Sequence, residues 1–428
     1  MPKTFRPYDP DQMLLLPPSV RDWVPADDLA HFISDVVDAL DLSDIEAVYE
    51  EELRGYPPYH PRMMTKLWLY GYTTGVRSSR KLEKLAQRDV GCMMLAAGNR
   101  PDFRTLNSFR LRHLPGLAQL FRQVLQLCEQ RGLVRLRHVA IDGTRVKANA
   151  SKHSAMSYGR MKQEEARISA EIEAWFKECD RVDAEEDGLY GADRRGDELP
   201  EQLQTAEGRR RAIREAMAEL EREAQAAGKA EPEDKAQRNF TDPESRIMKG
   251  SEGAFIQGYN AQAAVDAASQ VIVAATLTNS AADAGQLEPM VELIEDHVGI
   301  PPQQVSADAG YCSEANLETL DEHGIDAYVA TGRMSRSYRC QPAPRGRIPD
   351  GLTRRELMHR KLATKRGRAT YRQRQQVVEP VFGQIRNKGL VRLWLRGEVK
   401  ALGEWLLHCT GHNLCKLHGA QTTARAAA

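Results

Sequence analysis

Long apolar runs are missing from this 428-residue chain. None approaches the ~20 residues that span a bilayer, and membrane association is not expected. Near the amino terminus, the run Met13 to Leu16 is broken by Pro17 and Pro18, which does not read as a signal peptide. Cysteine is sparse and odd in number: Cys92, Cys128, Cys179, Cys312, Cys340, Cys409 and Cys415 are scattered along the sequence. That pattern argues against a disulfide framework and for reduced thiols in a cytosolic, and so cytoplasmic, protein. No Gly-rich loop ending in Lys-Ser/Thr occurs, so nothing points to nucleoside triphosphate hydrolysis. What is present is 41% hydrophobic and 28% charged, with a mean hydropathy of −0.54. This describes a soluble globular chain long enough for two or three domains.

Net charge is absent too, yet the charges are segregated. Residues 331–400 hold 19 Lys and Arg against four acidic residues, while residues 161–235 hold 13 basic against 22 acidic residues. A basic segment of that density is an electrostatic footprint for a polyanion, most often nucleic acid. The acidic block reads as a solvated helical face.

Residues 1–130 are expected to be all-helical. "LAHFISDVVDALDL" has helical spacing with Asp27 or Asp28 as cap, and "PRMMTKLWLYGYTTG" opens on Pro61. "SSRKLEKLAQRDVGCMMLAAG" and "DFRTLNSFRLRHLPGLAQLFRQVLQLCEQRG" follow. Arg80, Lys81, Lys84, Arg104, Arg110 and Arg112 on polar faces fit a helix-turn-helix-like DNA-binding unit, or a plain helical bundle. From about residue 136 the pattern turns to strands. "HVAIDGTRVKA" is followed by a hairpin of "GYNAQAAVDAAS" and "QVIVAATLTN", then a helix capped by Asp283. The strand "QVSADAGYC", a further helix and the strand "IDAYVATG" complete a mixed α/β layer with a parallel part over 131–400. A charged helical hairpin at about 151–240 interrupts it, projecting from one sheet edge, and 401–428 form a docking helix and tail.

Asp142 breaks the apolar start of the first strand, and Asp308 stands where a later strand ends before Gly310. Residues at the carboxyl ends of strands in α/β sheets face the site crevice. If these strands are neighbours, two carboxylates meet, which is costly unless a cation lies between them. Mg2+ or Mn2+ suits oxygen ligands, and two such ions serve phosphodiester chemistry. Glu379 is the only acid between Arg360 and Gly397 and reads either as a third ligand or as a salt-bridged helix residue. Asp266 is a rival in a turn setting, and Asp242 and Arg246 suit a place near the site or a turn. His408, His412 and Cys415 share one helix face, but zinc sites usually draw on more than one element.

"HVAIDGTRVKANAS", "DPESRIMK", "GYNAQAAVD", "SADAGYCSEANLETL" and "YRQRQQVVEPVFGQIRNKGL" together resemble the DDE transposases of bacterial insertion sequences, as do "RPYDPDQMLLLPPSVRDWVPADDLAHFI" and "FRTLNSFRLRH". The resemblance covers most of the chain, with only the charged insertion matching loosely. It implies a helical DNA-binding domain and a ribonuclease H-like core, with Asp142, Asp308 and Glu379 as the acidic triad holding two metal ions. Tyr371 and Arg374 match in kind the family's Tyr and Arg, although Arg374 lies five residues before Glu379, one more than the commonest spacing. Arg386 stands where the family has Lys, with Lys388 two further on. These four would bind DNA phosphates, and the exchange of Lys for Arg changes hydrogen-bonding geometry. The implied activity is strand cleavage at terminal inverted repeats and 3′-OH transfer into target DNA, by a homodimer or larger assembly on double-stranded DNA. Two alternatives stand beside it: a DNA-binding protein without catalysis, and a metal-dependent nuclease without strand transfer.

Overall fold

The computed structural model describes residues 19–50, 58–151, 154–190, 201–250, 253–332 and 343–427. Outside these lie residues 6–18 of the amino-terminal motif, residues 191–197 of the insertion loop, Cys340, and Arg333, Arg336 and Arg339 of the basic segment.

Helices come first: α1 (Leu29–Ala39), α2 (Ser43–Glu50), α3 (Pro61–Thr74), α4 (Ser79–Arg88), α5 (Val90–Leu95), α6 (Phe103–Arg112) and α7 (Leu114–Gln130). Local chemistry sets their ends. The Asp28 carboxylate accepts from the Ala30 amide at 2.7 Å to cap α1. Pro61 begins α3, where its missing N–H costs nothing, and Gly75 ends it at φ 86°, backbone that glycine adopts without strain. Their apolar sides enclose Trp68, Leu106 and Val124 in one core.

The sheet strand β1 (Val139–Lys147) follows, and then the insertion: β2 (Ala155–Ser157), α8 (Tyr158–Tyr190), α9 (Glu201–Ala226) and β3 (Gln237–Asn239). β2 and β3 pair as an antiparallel stem that the sequence did not signal, since each spans only three residues. The two helices share a small core of their own around Met161, Ile168, Ile213 and Leu220.

The remainder is β4 (Arg246–Lys249), β5 (Phe255–Asp266), β6 (Ile272–Thr278), α10 (Leu287–Val298), β7 (Gln304–Ala307), α11 (Glu314–Glu322), β8 (Asp326–Val329), α12 (Arg354–Ala363), α13 (Lys365–Asn387) and α14 (Glu398–Ala427). The sheet runs β4–β5–β1–β7–β8, with β6 also on β5. β1 is antiparallel to β5 and parallel to β7, and β7 is parallel to β8. This is the mixed α/β arrangement of a ribonuclease H-like core. Alternation along β1 sorts its side chains between two cores. Val139 and Ile141 pack with Ile294 of α10 and Leu320 of α11, while Ala140 and Val146 pack with Val378 and Ile385 of α13 and Trp405 of α14.

Pro380 lies inside α13 and removes one helical donor. The carbonyl left over, that of Gln376, accepts instead from Gln270 Nε2 at 3.1 Å. Gln270 stands in the β5–β6 turn at φ 61°. α14 ties the chain together: Leu407 and Leu414 enter the amino-terminal core, Leu417 one sheet core, and Trp405 and Cys409 the other.

Candidate active site

The parallel register places the first two acids. Val139 pairs with Val305 and Ala140 with Ser306, after which β1 and β7 part. Continued by two residues, the same register sets Asp142 across from Asp308. The strands are no longer paired there, yet the Asp308 carboxylate is near enough to raise the proton affinity of Asp142. Asp142 Oδ1 accepts from the Gly143 amide at 2.9 Å and Oδ2 from Arg374 Nη1 at 2.7 Å. Asp308 caps the turn that follows β7, accepting from the Gly310 amide at 2.8 Å. Burial pushes Asp142 up to about 6; Arg374 opposes this and the Asp308 carboxylate adds to it.

Arg374 lies on α13 with its guanidinium 5.8 Å from the Tyr371 ring centroid. Burial raises the Tyr371 hydroxyl, Arg374 pulls it down, and Asp308 and Asp142 raise it further. Asp142, Asp308, Tyr371 and Arg374 thus form one constellation. Arg386 joins its border, with Nη2 donating to Thr144 Oγ1 at 2.6 Å. Lys388 goes elsewhere, its ammonium resting on Cys415 Sγ of α14.

Glu379 is on the same helix but faces solvent. At 3.6 residues per turn, five residues rotate it about 140° away from Arg374, whereas four would rotate it about 40°. The one-residue departure in spacing is therefore visible as a different helix face. Among the described residues, no three of His, Cys, Asp and Glu gather into a group able to hold a metal ion. The donor set that does converge is two hard carboxylate oxygens groups countered by a guanidinium. It fits a divalent cation held by a pair of acids, with water and substrate completing its shell.

The opposite face of β1 carries a second polar group that the sequence reading missed. Asp283 was expected to cap α10, yet a short 3-10 turn over Ala284–Gln286 intervenes and its side chain makes no cap bond. Instead Oδ1 accepts from Asn260 Nδ2 at 2.7 Å and Gln262 Nε2 at 3.0 Å, and Oδ2 from Arg145 Nη2 at 2.9 Å. The signal was there: Asn260 and Gln262 alternate along a buried strand, and two amides on one core face require a partner. Gly143 is needed beside them. A Cβ there would lie 2.5 Å from Gln262 Nε2 and 2.7 Å from Asn260 Oδ1.

The rival residues are accounted for locally. Asp266 accepts from the amides of Arg135, Leu136 and Ala268 at 2.9, 2.8 and 2.8 Å. Asp242 Oδ1 accepts from the Tyr259 hydroxyl at 2.9 Å and the Gly397 amide at 3.1 Å, and the Arg246 guanidinium pairs with Glu223 of α9 at 2.8 Å. His412 Nε2 meets the Gln270 carbonyl at 2.8 Å, while His408 is buried beside Arg77 and Arg110. Cys415 receives Lys388, so the three residues turn to three different neighbours.

In the amino-terminal part, Arg80, Lys81, Lys84 and Arg88 are exposed along α4, and Arg104 and Arg112 on α6. Arg110 corrects the expectation that it lies on a polar face. It is buried 4.5 Å from the Trp68 ring centroid, where a guanidinium gains from the aromatic face.

Two family models match this chain. The model of a transposase DDE domain covers residues 228–414, and that of the transposase domain DUF772 covers residues 18–112. Asp308 and Glu379 fall within the first. Asp142 lies between the two and is joined to the first by pairing of β1 with β5 and β7. No curated protein and no solved structure matches the chain significantly.

Proposed function

The chain belongs to the DDE transposases of insertion sequences, and on that premise we propose that it cuts DNA at the terminal inverted repeats of its element and joins the freed 3′-OH to target DNA. Transposases of this family generally use divalent metal ions. The observation that carries the reading is the pair Asp142 and Asp308 on neighbouring parallel strands, countered by the Arg374 guanidinium. When bound, Mg2+ or Mn2+ supplies Lewis-acid stabilisation of the attacking and leaving oxygens. Asp142 and Asp308 would hold it, and Glu379 is the proposed third ligand for a second ion.

The chain's own groups do the rest. Arg374 and Tyr371 hold a phosphate beside the two acids, and Arg386, steadied on Thr144, holds another. Lys388 adds positive charge at greater distance, given its place on Cys415. The exposed cations of α4 and α6 take up the repeat, with phosphate contacts positioning the protein and base contacts specifying the sequence. Pairing two element ends requires at least two copies on DNA.

The test is cleavage of labelled duplex carrying candidate ends, with Mg2+ or with EDTA. The wild type is expected to nick the ends only with metal. Asp142→Ala and Asp308→Asn should bind DNA normally yet nick about a thousandfold more slowly, more than the 10–100-fold typical of outer partners of a metal ligand. Unchanged metal-dependent nicking in both variants would sink the assignment. One observation favours a second reading, DNA binding without catalysis: no third acid joins the pair among the described residues. Binding with no nicking under any metal would establish it.

A further inference from the structure

We propose that β1 carries, beyond Asp142, a second subsite for nucleic-acid phosphate, built from Arg145, Lys147 and Arg386. The inference rests on the transposase reading above and deepens it. A cavity of about 210 Å³ at this end of the strand is lined by all three cations, with Ile256, Leu390 and Val391 among the other walls, and among the described residues no acid lines it.

Two of the three cations are held in place rather than left to wander. Among the described residues Arg145 donates through Nη2 alone, to the Ala281 carbonyl at 2.7 Å and to Asp283 Oδ2 at 2.9 Å. Among the described residues Arg386 likewise uses only Nη2, on Thr144 Oγ1 at 2.6 Å. A guanidinium has five N–H donors in a fixed fork, so each keeps donors for an anion. Asp283 offsets part of the Arg145 charge, so Lys147 and Arg386 supply most of the site's net positive charge. Asp283 is a positioning residue that sets the Arg145 fork through a buried carboxylate. Among the described residues, Lys147 and Arg386 have no carboxylate partner, so their charge is available to a ligand.

Spacing identifies the ligand. Arg145 and Lys147 stand three and five residues beyond Asp142, or about 10 and 17 Å along a strand that rises about 3.3 Å per residue. A nucleic-acid strand carries one phosphate per about 3.4 Å of axis. Along the strand axis alone, that separation matches roughly three to five phosphate spacings from Asp142, with Arg145 and Lys147 on the other face of β1. The subsite holds the flanking strand in line and reads no base.

The experiment measures affinity for a short labelled duplex of arbitrary sequence against NaCl concentration, for the full chain and for Arg145→Gln, Lys147→Gln and Lys147→Arg, with melting temperatures checked in parallel. Losing one phosphate contact lowers the slope of log K against log salt by about 0.9. Each Gln variant is expected to lose about that much, and Lys147→Arg to keep the wild-type slope. Because Lys147 is exposed, Lys147→Gln remains informative even if Arg145→Gln folds poorly. Unchanged slopes in both Gln variants overturn the proposal. Nicking of element ends, measured separately, keeps the two readings apart: a wild type that binds but never nicks refutes the catalytic reading, while the slopes still decide the subsite.

Discussion

Asp142 and Asp266 lie three residue pairs apart on one antiparallel strand pair, for Val139 of β1 is opposite Asp266 of β5 and Asp142 is opposite Ala263. Both are acids in an otherwise apolar setting, and both carry a side chain that the fold must satisfy. Asp266 is satisfied by three backbone amides that cannot move without unfolding the turn. Asp142 has one amide and one guanidinium from a different element, a neighbouring acid across the strand gap, and a proton affinity pushed up to about 6 by burial. An acid closed off by fixed donors is architecture. An acid whose partner is a side chain, and whose ionisation is opposed by its surroundings, is poised to exchange that partner for another cation.

Exchanging the two acids for neutral residues should separate their roles. Asp142→Asn keeps one acceptor oxygen, enough for either the Gly143 amide or Arg374 but not both, so it should cost only about 1–3 kcal/mol of stability while slowing nicking about a thousandfold, as loss of a group in direct contact with the reacting atoms does. Asp266→Ala should do the reverse. The buried Leu136 amide and the two part-buried amides of Arg135 and Ala268 lose their acceptor, the buried one at about 1–3 kcal/mol when unsatisfied, so denaturant midpoints fall and activity falls only with the folded fraction. A stable, inactive Asp266→Ala would erase the distinction.

Glu379 sharpens it further. Among the described residues its exposed carboxylate supports nothing in the fold, so Glu379→Gln should leave the melting temperature unchanged and, as loss of a third ligand, slow nicking about a thousandfold. Nicking at the wild-type rate would restrict the site to the two strand acids.

Buried histidines extend the comparison to pH. Burial, with Arg77 and Arg110, holds His408 down to about 3, and burial holds His412 down to about 4 despite its bond to the Gln270 carbonyl. Unfolded imidazoles take up protons near pH 6.5, and the folded ones do so only much lower. Stability is therefore full above about pH 6.5 and declines as pH falls towards 4, by about 1.4 kcal/mol per unit for each histidine. Thermal melts between pH 7.5 and 5 check this, and His408→Gln should flatten the decline. The smallest effect expected is from Gln270→Ala, which removes the donor to the Gln376 carbonyl beneath Pro380, at about 1 kcal/mol in a chemical melt.

Much of this was legible in the residues because the signals were local. Asp28, Pro61 and Gly75 mark their own helix ends, and the alternation around Asp142 marked its strand. The closeness of Asp142 and Asp308 depended on whether β1 and β7 are neighbours, a question of topology that strand patterns leave open. β4 escaped notice because four residues, Arg246 to Lys249, carry charge at both ends and are strand only against β5. Asp283 reads as a helix cap in any local window, since its partners Arg145, Asn260 and Gln262 lie at least 21 residues away. Arg110 was misplaced for the same reason: nothing near it in sequence announces Trp68.

α14 is one continuous helix, and at 1.5 Å per residue its 30 residues measure about 45 Å. Gly411 lets it lie directly on α3, where a Cβ would come within 2.9 Å of the Tyr72 backbone, while Trp405 is anchored to the Gln262 carbonyl of the sheet at 3.2 Å. In the proposed function, the helices that grip the repeat and the strands that cut beside it are bolted to a single spar. On that reading the helix couples grip and cut through its faces, since Trp405, Leu407, Cys409 and Leu414 alternate between the two cores within ten residues.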